Sequence, residues 1–277
     1  MDFADAYLDQ IEAVAEWMRL PRVRALHLPP QPRHKDNLGE FCALELDDGS
    51  IGLSYVLFDN TLAQLRAQHA DAALAGADAL TLARQYTGAS GAARTVGFAA
   101  ANALSHSLWR RAGYVPPSSR DAIGGIDPQP GEHIGMIGLF PPLVQAVTRH
   151  GAQLTVVELN PALAGDHAGH RVTLDATALQ ACDKVLSTST LLLNDTLDRM
   201  LALCRRARRF ALIGPSAGCL PDALFARGVT HVGSSEVVDR PAFLDALRAG
   251  EKRGAATRKY GLDPANYPGF AALLARL

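Results

Sequence analysis

The stretch His133-Ile134-Gly135-Met136-Ile137-Gly138-Leu139-Phe140-Pro141-Pro142 decides the fold. An apolar run passes through two glycines and ends on paired prolines. That is the order of a strand, a tight turn and a helix start, because glycine lets the backbone turn sharply and proline suits the first helical position. Outward from it the pattern repeats. Strands are predicted over 133–138, 154–158, 183–188, 209–213 and 229–233. Helices are predicted over 141–150, 176–181, 194–205, 221–227 and 241–249. Alternation of this kind requires a parallel sheet with helices on both faces. Right-handed crossovers bring every strand's carboxyl end to one side, where a crevice opens for a ligand. The half from about residue 121 to 277 therefore reads as a Rossmann-like α/β domain.

The N-terminal half is of another kind. A helix is predicted over 3–18 from the spacing of Leu8, Ile11, Val14 and Met18, and Pro21 stops it. Residues 29–37 read as a polar, proline-rich loop. Strands over 41–46 and 51–58 flank Asp47-Asp48-Gly49-Ser50, a hairpin signal. Alanine-rich helices follow at about 60–67, 71–84 and 90–108. Proline and glycine dominate 113–132, which reads as a linker. The division is an α+β domain over 1–120 followed by the α/β domain over 121–277.

Bulk composition narrows the function. The chain is 48% hydrophobic and 20% charged with a net charge of −1, which removes any overall case for nucleic acid or an anionic membrane as partner. The basic run Arg205-Arg206-Ala207-Arg208-Arg209 falls at a predicted helix end, where positive charge complements the dipole. No apolar run is long enough for a bilayer and the acidic start Met1-Asp2-Phe3-Ala4-Asp5 does not read as a secretory leader, so the expectation is a cytoplasmic protein. Cys42, Cys182, Cys204 and Cys219 lack paired spacing and read as reduced, buried thiols rather than a zinc ribbon. Asp166-His167 and His170 form the single histidine cluster; it reads as a metal pair or a solvated loop. His133, at a strand start, and His150, near a helix end, do not stand out.

Candidate ligand contacts gather at the predicted strand ends. Gly135, Gly138, Phe140 and Pro141 shape the first turn, and Glu158 follows Gly138 by twenty residues, where dinucleotide-binding domains keep the acid that holds a ribose hydroxyl. The full G-x-G-x-x-G pattern is missing, and Phe140 with two prolines crowds the turn. Glu158 can equally close its own strand by capping a loop. Asn160 lies just beyond it. Ser187, Thr188, Ser189 and Thr190 set four hydroxyls at a strand end, donors and acceptors suited to a neutral polar ligand. Asn194, Asp195 and Thr196 follow, as ligand contacts or helix caps. Gly214-Pro215-Ser216 lines the same crevice. No G-x-S-x-G elbow surrounds Ser216, so a hydrolase is discounted and an anion on backbone N–H groups is preferred. Asn102, inside an apolar helix, must bond a neighbouring loop or reach the cleft.

These stretches, with 97–104, 135–142, 187–196, Gly214-Pro215-Ser216 and 228–239 in order over about two thirds of the chain, resemble a family named for heavy-metal chelation and otherwise of unknown function. Its members join an enolase N-terminal-like domain to a Rossmann-like domain. The resemblance implies a site between the domains, built mainly from strand ends, and a homodimer. The chain departs from the family's pattern twice. Arg94 and Thr95 stand where a glutamate is usual, and Asn194-Asp195-Thr196 replaces Asn-Gly-Thr. Three readings follow. In the first, the protein handles or makes a small metal chelator or its metal complex, the metal being a transition metal carried as a chelate. In the second, it is an enzyme using NAD(P) or S-adenosylmethionine. In the third, it is a ligand-binding regulator without catalysis.

Overall fold

The computed structural model describes residues 1–31, 40–68 and 73–277. Residues 32–37 of the predicted loop and 71–72 of the predicted third helix lie outside the described residues.

Helix α1 (Phe3–Trp17) starts where the Asp2 carboxylate accepts the Asp5 N–H at 2.9 Å. It buries Phe3, Tyr7, Ile11 and Val14, one stripe at helical spacing. Strands β1 (Val23–His27), β2 (Phe41–Leu46) and β3 (Ile51–Tyr55) form an antiparallel sheet in that order. The β2–β3 hairpin is as read from the sequence, although β3 ends at Tyr55 rather than at residue 58. β1 was not foreseen, since five residues between prolines carry little alternation. The helices α2 (Thr61–Gln68), α3 (Ala79–Ala83), α4 (Gln85–Gly88) and α5 (Gly91–Arg111) follow. The helix expected over 71–84 is thus a short one starting at Ala79, capped by Asp78. Helix α5 is buried on nearly all sides, and its small residues permit this. A Cβ on Gly52 would lie 2.1 Å from the Ala99 carbonyl oxygen, and one on Gly97 would lie 2.4 Å from the Tyr86 nitrogen. Both positions need glycine because backbone passes against backbone.

The larger sheet has eight strands: β4 (His133–Ile137), β5 (Gln153–Val157), β6 (Gly165–His167), β7 (His170–Thr173), β8 (Lys184–Thr188), β9 (Arg209–Ile213), β10 (His231–Val237) and β11 (Thr257–Leu262). Their order is β11-β10-β9-β8-β4-β5-β7-β6. The chain winds outward from β4 in both directions, so its switch point lies between β4 and β8. The inner strands are parallel, but β11 and β6 run antiparallel at the two edges. The expected all-parallel sheet is therefore mixed. The supposed loop around Asp166, His167 and His170 is the β6–β7 hairpin. The crossover helices are α6 (Pro141–Thr148), α7 (Leu197–Leu203) and α8 (Asp222–Phe225); α9 (Arg240–Ala249) joins β10 to the antiparallel β11, and α10 (Phe270–Leu274) comes last. Residues 176–181 form a 3-10 turn rather than an α-helix. The helix expected over 194–205 begins only at Leu197, because Asp195 sits at φ 56°, outside helical geometry.

One face of the sheet, through Val185, Leu212 and Val232, joins Tyr86, Phe98, Leu104 and Leu273 in a hydrophobic core that runs from Phe3 to Leu274. The other face, through Ile134, Met136, Val156 and Leu186, packs under α6 and the fully buried Ile126. Adjacent residues such as Val185 and Leu186 serve opposite faces, the period-2 rule of a strand buried on both sides. The segment read as a linker is pinned to β11: Ser119 N–H donates to the Lys259 carbonyl at 3.0 Å. No helix among the described residues is long and apolar enough to cross a membrane.

Candidate functional site

The structure brings most of the sequence-predicted residues to the switch point, and there they bond to the protein. Glu158 follows β5. Its carboxylate accepts the Leu139 N–H at 2.7 Å and the Leu159 N–H at 2.8 Å. The backbone donors that would cradle a phosphate after β4 are thus partly taken by the acid that was to hold a ribose. Asn160 is exposed and caps the next turn through the Ala162 N–H. Gly135 is buried mid-strand, where a Cβ would meet Leu179 at 2.9 Å and Cys182 at 3.1 Å, so its role is packing. Gly138 turns at φ 79°, with Phe140 half-buried and Pro141 exposed beyond it.

The hydroxyl cluster divides in the same way. Ser187 and Ser189 are buried, Ser187 donating to the Thr188 carbonyl at 3.2 Å. Ser189 packs on Gly214, where a Cβ would come within 2.4 Å of its Oγ. Thr188 Oγ1 accepts from the Thr190 N–H at 3.3 Å and caps a 3-10 turn. Asn194 Oδ1 accepts from the Thr196 hydroxyl at 2.5 Å. Asp195 bonds the Arg94 guanidinium, which lies 4.7 Å over the Tyr86 ring and donates to the Leu193 carbonyl at 2.9 Å. Arg94 and Asp195, far apart in sequence, therefore meet as one ion pair. Asn102 is fully buried: its amide donates to the Leu53 and Ser216 carbonyls at 2.9 and 3.1 Å and accepts from Tyr7 at 3.0 Å. Ser216 Oγ accepts the Tyr55 N–H at 3.1 Å. Gly214-Pro215-Ser216 is thus the seam between the two halves. What the switch point leaves half-exposed are Gly138, Phe140, Thr188, Thr190, Gly214 and Pro215. Tyr55, which sequence reasoning missed, joins them; burial and the nearby Glu158 carboxylate push its phenol pKa up.

A second opening lies at the carboxyl end of β10. A cavity of about 460 Å³ separates the β2–β3 turn (Gly49, Ser50, Ile51) from Glu236, Val237, Val238 and Arg240, with the end of α5 and Tyr114 between. Here polar atoms are not used up. Ser50 Oγ, Trp109 Nε1 and Tyr114 OH are buried and have no hydrogen-bond partner among the described residues. Leaving such a group unpaired costs about 1–3 kcal/mol. Trp109 is 3% exposed, stacks on His106 at 5.0 Å and meets Tyr114 edge-on at 6.0 Å. Burial lowers the His106 pKa to about 4, so the ring is neutral near pH 7. Arg240 grips the fully buried Glu45 with two bonds, at 2.6 and 2.9 Å. Burial pushes the Glu45 pKa up, but bonds from Arg240 and His27 outweigh it and hold the carboxyl below its usual range. Glu236 is paired with Arg258 at 2.6 Å. None of these lining residues was a site candidate from sequence, although 236–238 lie in the 228–239 stretch noted above. The available signal was Trp109-Arg110-Arg111 followed by Tyr114, aromatic and basic groups gathered at a helix end.

Neither place holds a heavy-metal donor set. Among the described residues no three His, Cys, Asp or Glu side chains converge on a point. Burial pushes the Cys42, Cys204 and Cys219 thiols up to about 12 and Cys182 to about 11, away from the thiolate form that binds soft metals. His167 and His170 stack face to face at 5.0 Å; ring lone pairs lie in the ring planes, so these two do not aim at a shared ion.

Residues 121–265 match the DUF364 family and residues 38–105 the DUF4213 family, both described as "Putative heavy-metal chelation". An uncharacterized protein of Methanocaldococcus jannaschii is 30% identical over 150 residues; the match spans 53% of this chain and 55% of that relative's length. Two crystal structures share the fold: a DUF364 protein of unknown function from Desulfitobacterium hafniense and another from Pyrococcus horikoshii. Each is 21% identical with a TM-score of 0.65, over 94% of this chain and 98% or 99% of theirs.

Proposed function

This chain belongs to the DUF364 family, described as "Putative heavy-metal chelation", and from that premise we propose that it binds a small organic chelator, or the metal complex of one, in the cavity at the end of β10. The observation that carries this reading is the set of unpaired polar atoms of Ser50, Trp109 and Tyr114 around a cavity of about 460 Å³. A volume in that range suits a small molecule. In this reading the metal's ligands come from the small molecule and the protein recognises its polar groups, in keeping with the described residues, among which no three metal donors converge. NAD(P) and S-adenosylmethionine draw less support, since Glu158 occupies the Leu139 amide, one of the donors they would need after β4.

Thermal unfolding with citrate or 2,3-dihydroxybenzoate, each with and without iron(III), tests the proposal. At about 100 times the dissociation constant a ligand adds roughly 2.7 kcal/mol. At roughly 2–4 °C per kcal/mol for a chain of this size, that raises the melting temperature by about 5–10 °C. The shift is expected in the native protein and is expected to vanish in Trp109→Phe. A shift with NAD(P) or S-adenosylmethionine alone, or with bare metal alone, would overturn it.

A further inference from the structure

Resting on the chelator reading of the same cavity, we infer that its ligand is an anion: a small oxygen acid with a planar body, held between Arg110 and Arg240 and capped by the Trp109 indole N–H. Three observations converge on this. The first is charge. Among the described residues Glu236 is the single acid on the cavity wall, and Arg258 neutralises it. Arg110 and Arg240 also line the wall. The guanidinium of Arg110 has no hydrogen-bond or ion-pair partner among the described residues, and Arg240 spends Nε and one bond of Nη2 on Glu45 and keeps its Nη1 donors. A guanidinium with spare parallel N–H groups is the usual partner of a carboxylate or phenolate.

The second observation is the direction of hydrogen bonding. An indole N–H can only donate. Trp109 Nε1 is buried and has no partner among the described residues, so an acceptor brought by the ligand would satisfy it. Ser50 and Tyr114 can donate as well. The third is shape. Trp109, stacked on His106, meets Tyr114 edge-on and gives the cavity an aromatic wall, while Val115 and Val238 stand exposed on its lining. A flat apolar body fits such a wall, and the charged oxygens reach the arginines. Glu45 has no contact with this ligand; buried beneath Arg240, it is a positioning residue that fixes the guanidinium's direction.

Isothermal titration of the full chain separates the possibilities with three probes: 2,3-dihydroxybenzoate (anionic and chelating), benzoate (anionic, non-chelating) and 1,10-phenanthroline (neutral and chelating). The inference expects both anions to bind, more weakly as salt rises. Arg110→Gln, on an exposed side chain with no partner to lose, should weaken both by about tenfold. The double change Arg240→Gln with Glu45→Gln, which removes the pair without stranding a buried charge, should act alike. Phenanthroline binding as tightly as dihydroxybenzoate, with affinities in Arg110→Gln unchanged within about twofold, would overturn the anion inference while leaving the chelator reading intact. Benzoate equalling dihydroxybenzoate, both arginine-dependent, would support the anion inference and sink the chelator reading. Binding of none of the three would overturn the anion inference.

Discussion

Two openings face the same side of one sheet, and they differ in who satisfies their polar groups. At the switch point between β4 and β8 the chain satisfies itself: Glu158 on Leu139, Thr188 on Thr190, Asn194 on Thr196, Asn102 on Ser216. At the end of β10, Trp109, Tyr114 and Ser50 are left waiting. A cluster of polar residues at strand ends is therefore not evidence of a ligand until its internal bonds are counted. The more informative polar group is the one that folding leaves unpaired.

The comparison breaks or sharpens at four points. The largest effect is expected at Asn102. Asn102→Ala strands the Leu53 and Ser216 carbonyls in a dry seam and leaves Tyr7 with Ser105 alone, at about 3 kcal/mol in urea unfolding. A cost under about 1 kcal/mol would mean that water reaches the seam, and would return the switch point to contention. Next is acid sensitivity. His106 is held neutral in the folded chain with its pKa lowered to about 4, whereas the unfolded side chain titrates near 6.5. The unfolded state then binds the extra proton, so stability falls as pH drops from about 6.5 to about 4, by roughly 3 kcal/mol in all. His106→Gln should flatten that part of the pH–stability curve; an unchanged curve would show His106 exchanging protons freely, in a wetter pocket.

Glu158→Gln is expected to cost about 1–2 kcal/mol, since a charged acceptor on two amides becomes a neutral one. If the same variant gained NAD(P) binding, the switch point would be a nucleotide site closed by its own acid. The smallest effect belongs to Asp195. Its carboxylate is mostly exposed, so the pair with Arg94 is worth little, and glycine would relax the left-handed backbone. Asp195→Gly should lie within about 0.5 kcal/mol of the parent, and Asp195→Ala about 1 kcal/mol below it. A large loss in both variants would make the ion pair a strong tie after all.

Most of the larger fold was legible because periodicity and turn residues are local. The 133–142 stretch placed β4 and α6, and Asp47–Ser50 placed the hairpin. The edge strands escaped because their cause is not local: β11 exists by pairing antiparallel with β10, and β1 by pairing with β2. The site was legible only in part. Sequence shows that Ser187, Asn102 and Glu158 are polar; it does not show that each already has a partner. Trp109 and Arg240 lie far apart in sequence and border one cavity only through the packing of the hairpin on the sheet.

The four buried thiols have a consequence for handling the protein. Each is shut away from reagent in the native fold and carries a pKa of about 11 or 12. Alkylating agents can therefore reach them only when a region opens, so labelling rate becomes a clock for local opening, with Cys42 timing the hairpin sheet and Cys219 the seam. The same geometry turns excess mercury or cadmium into a denaturant. The soft ion gains its sulfur ligands only from the unfolded chain, and mass action draws the population that way.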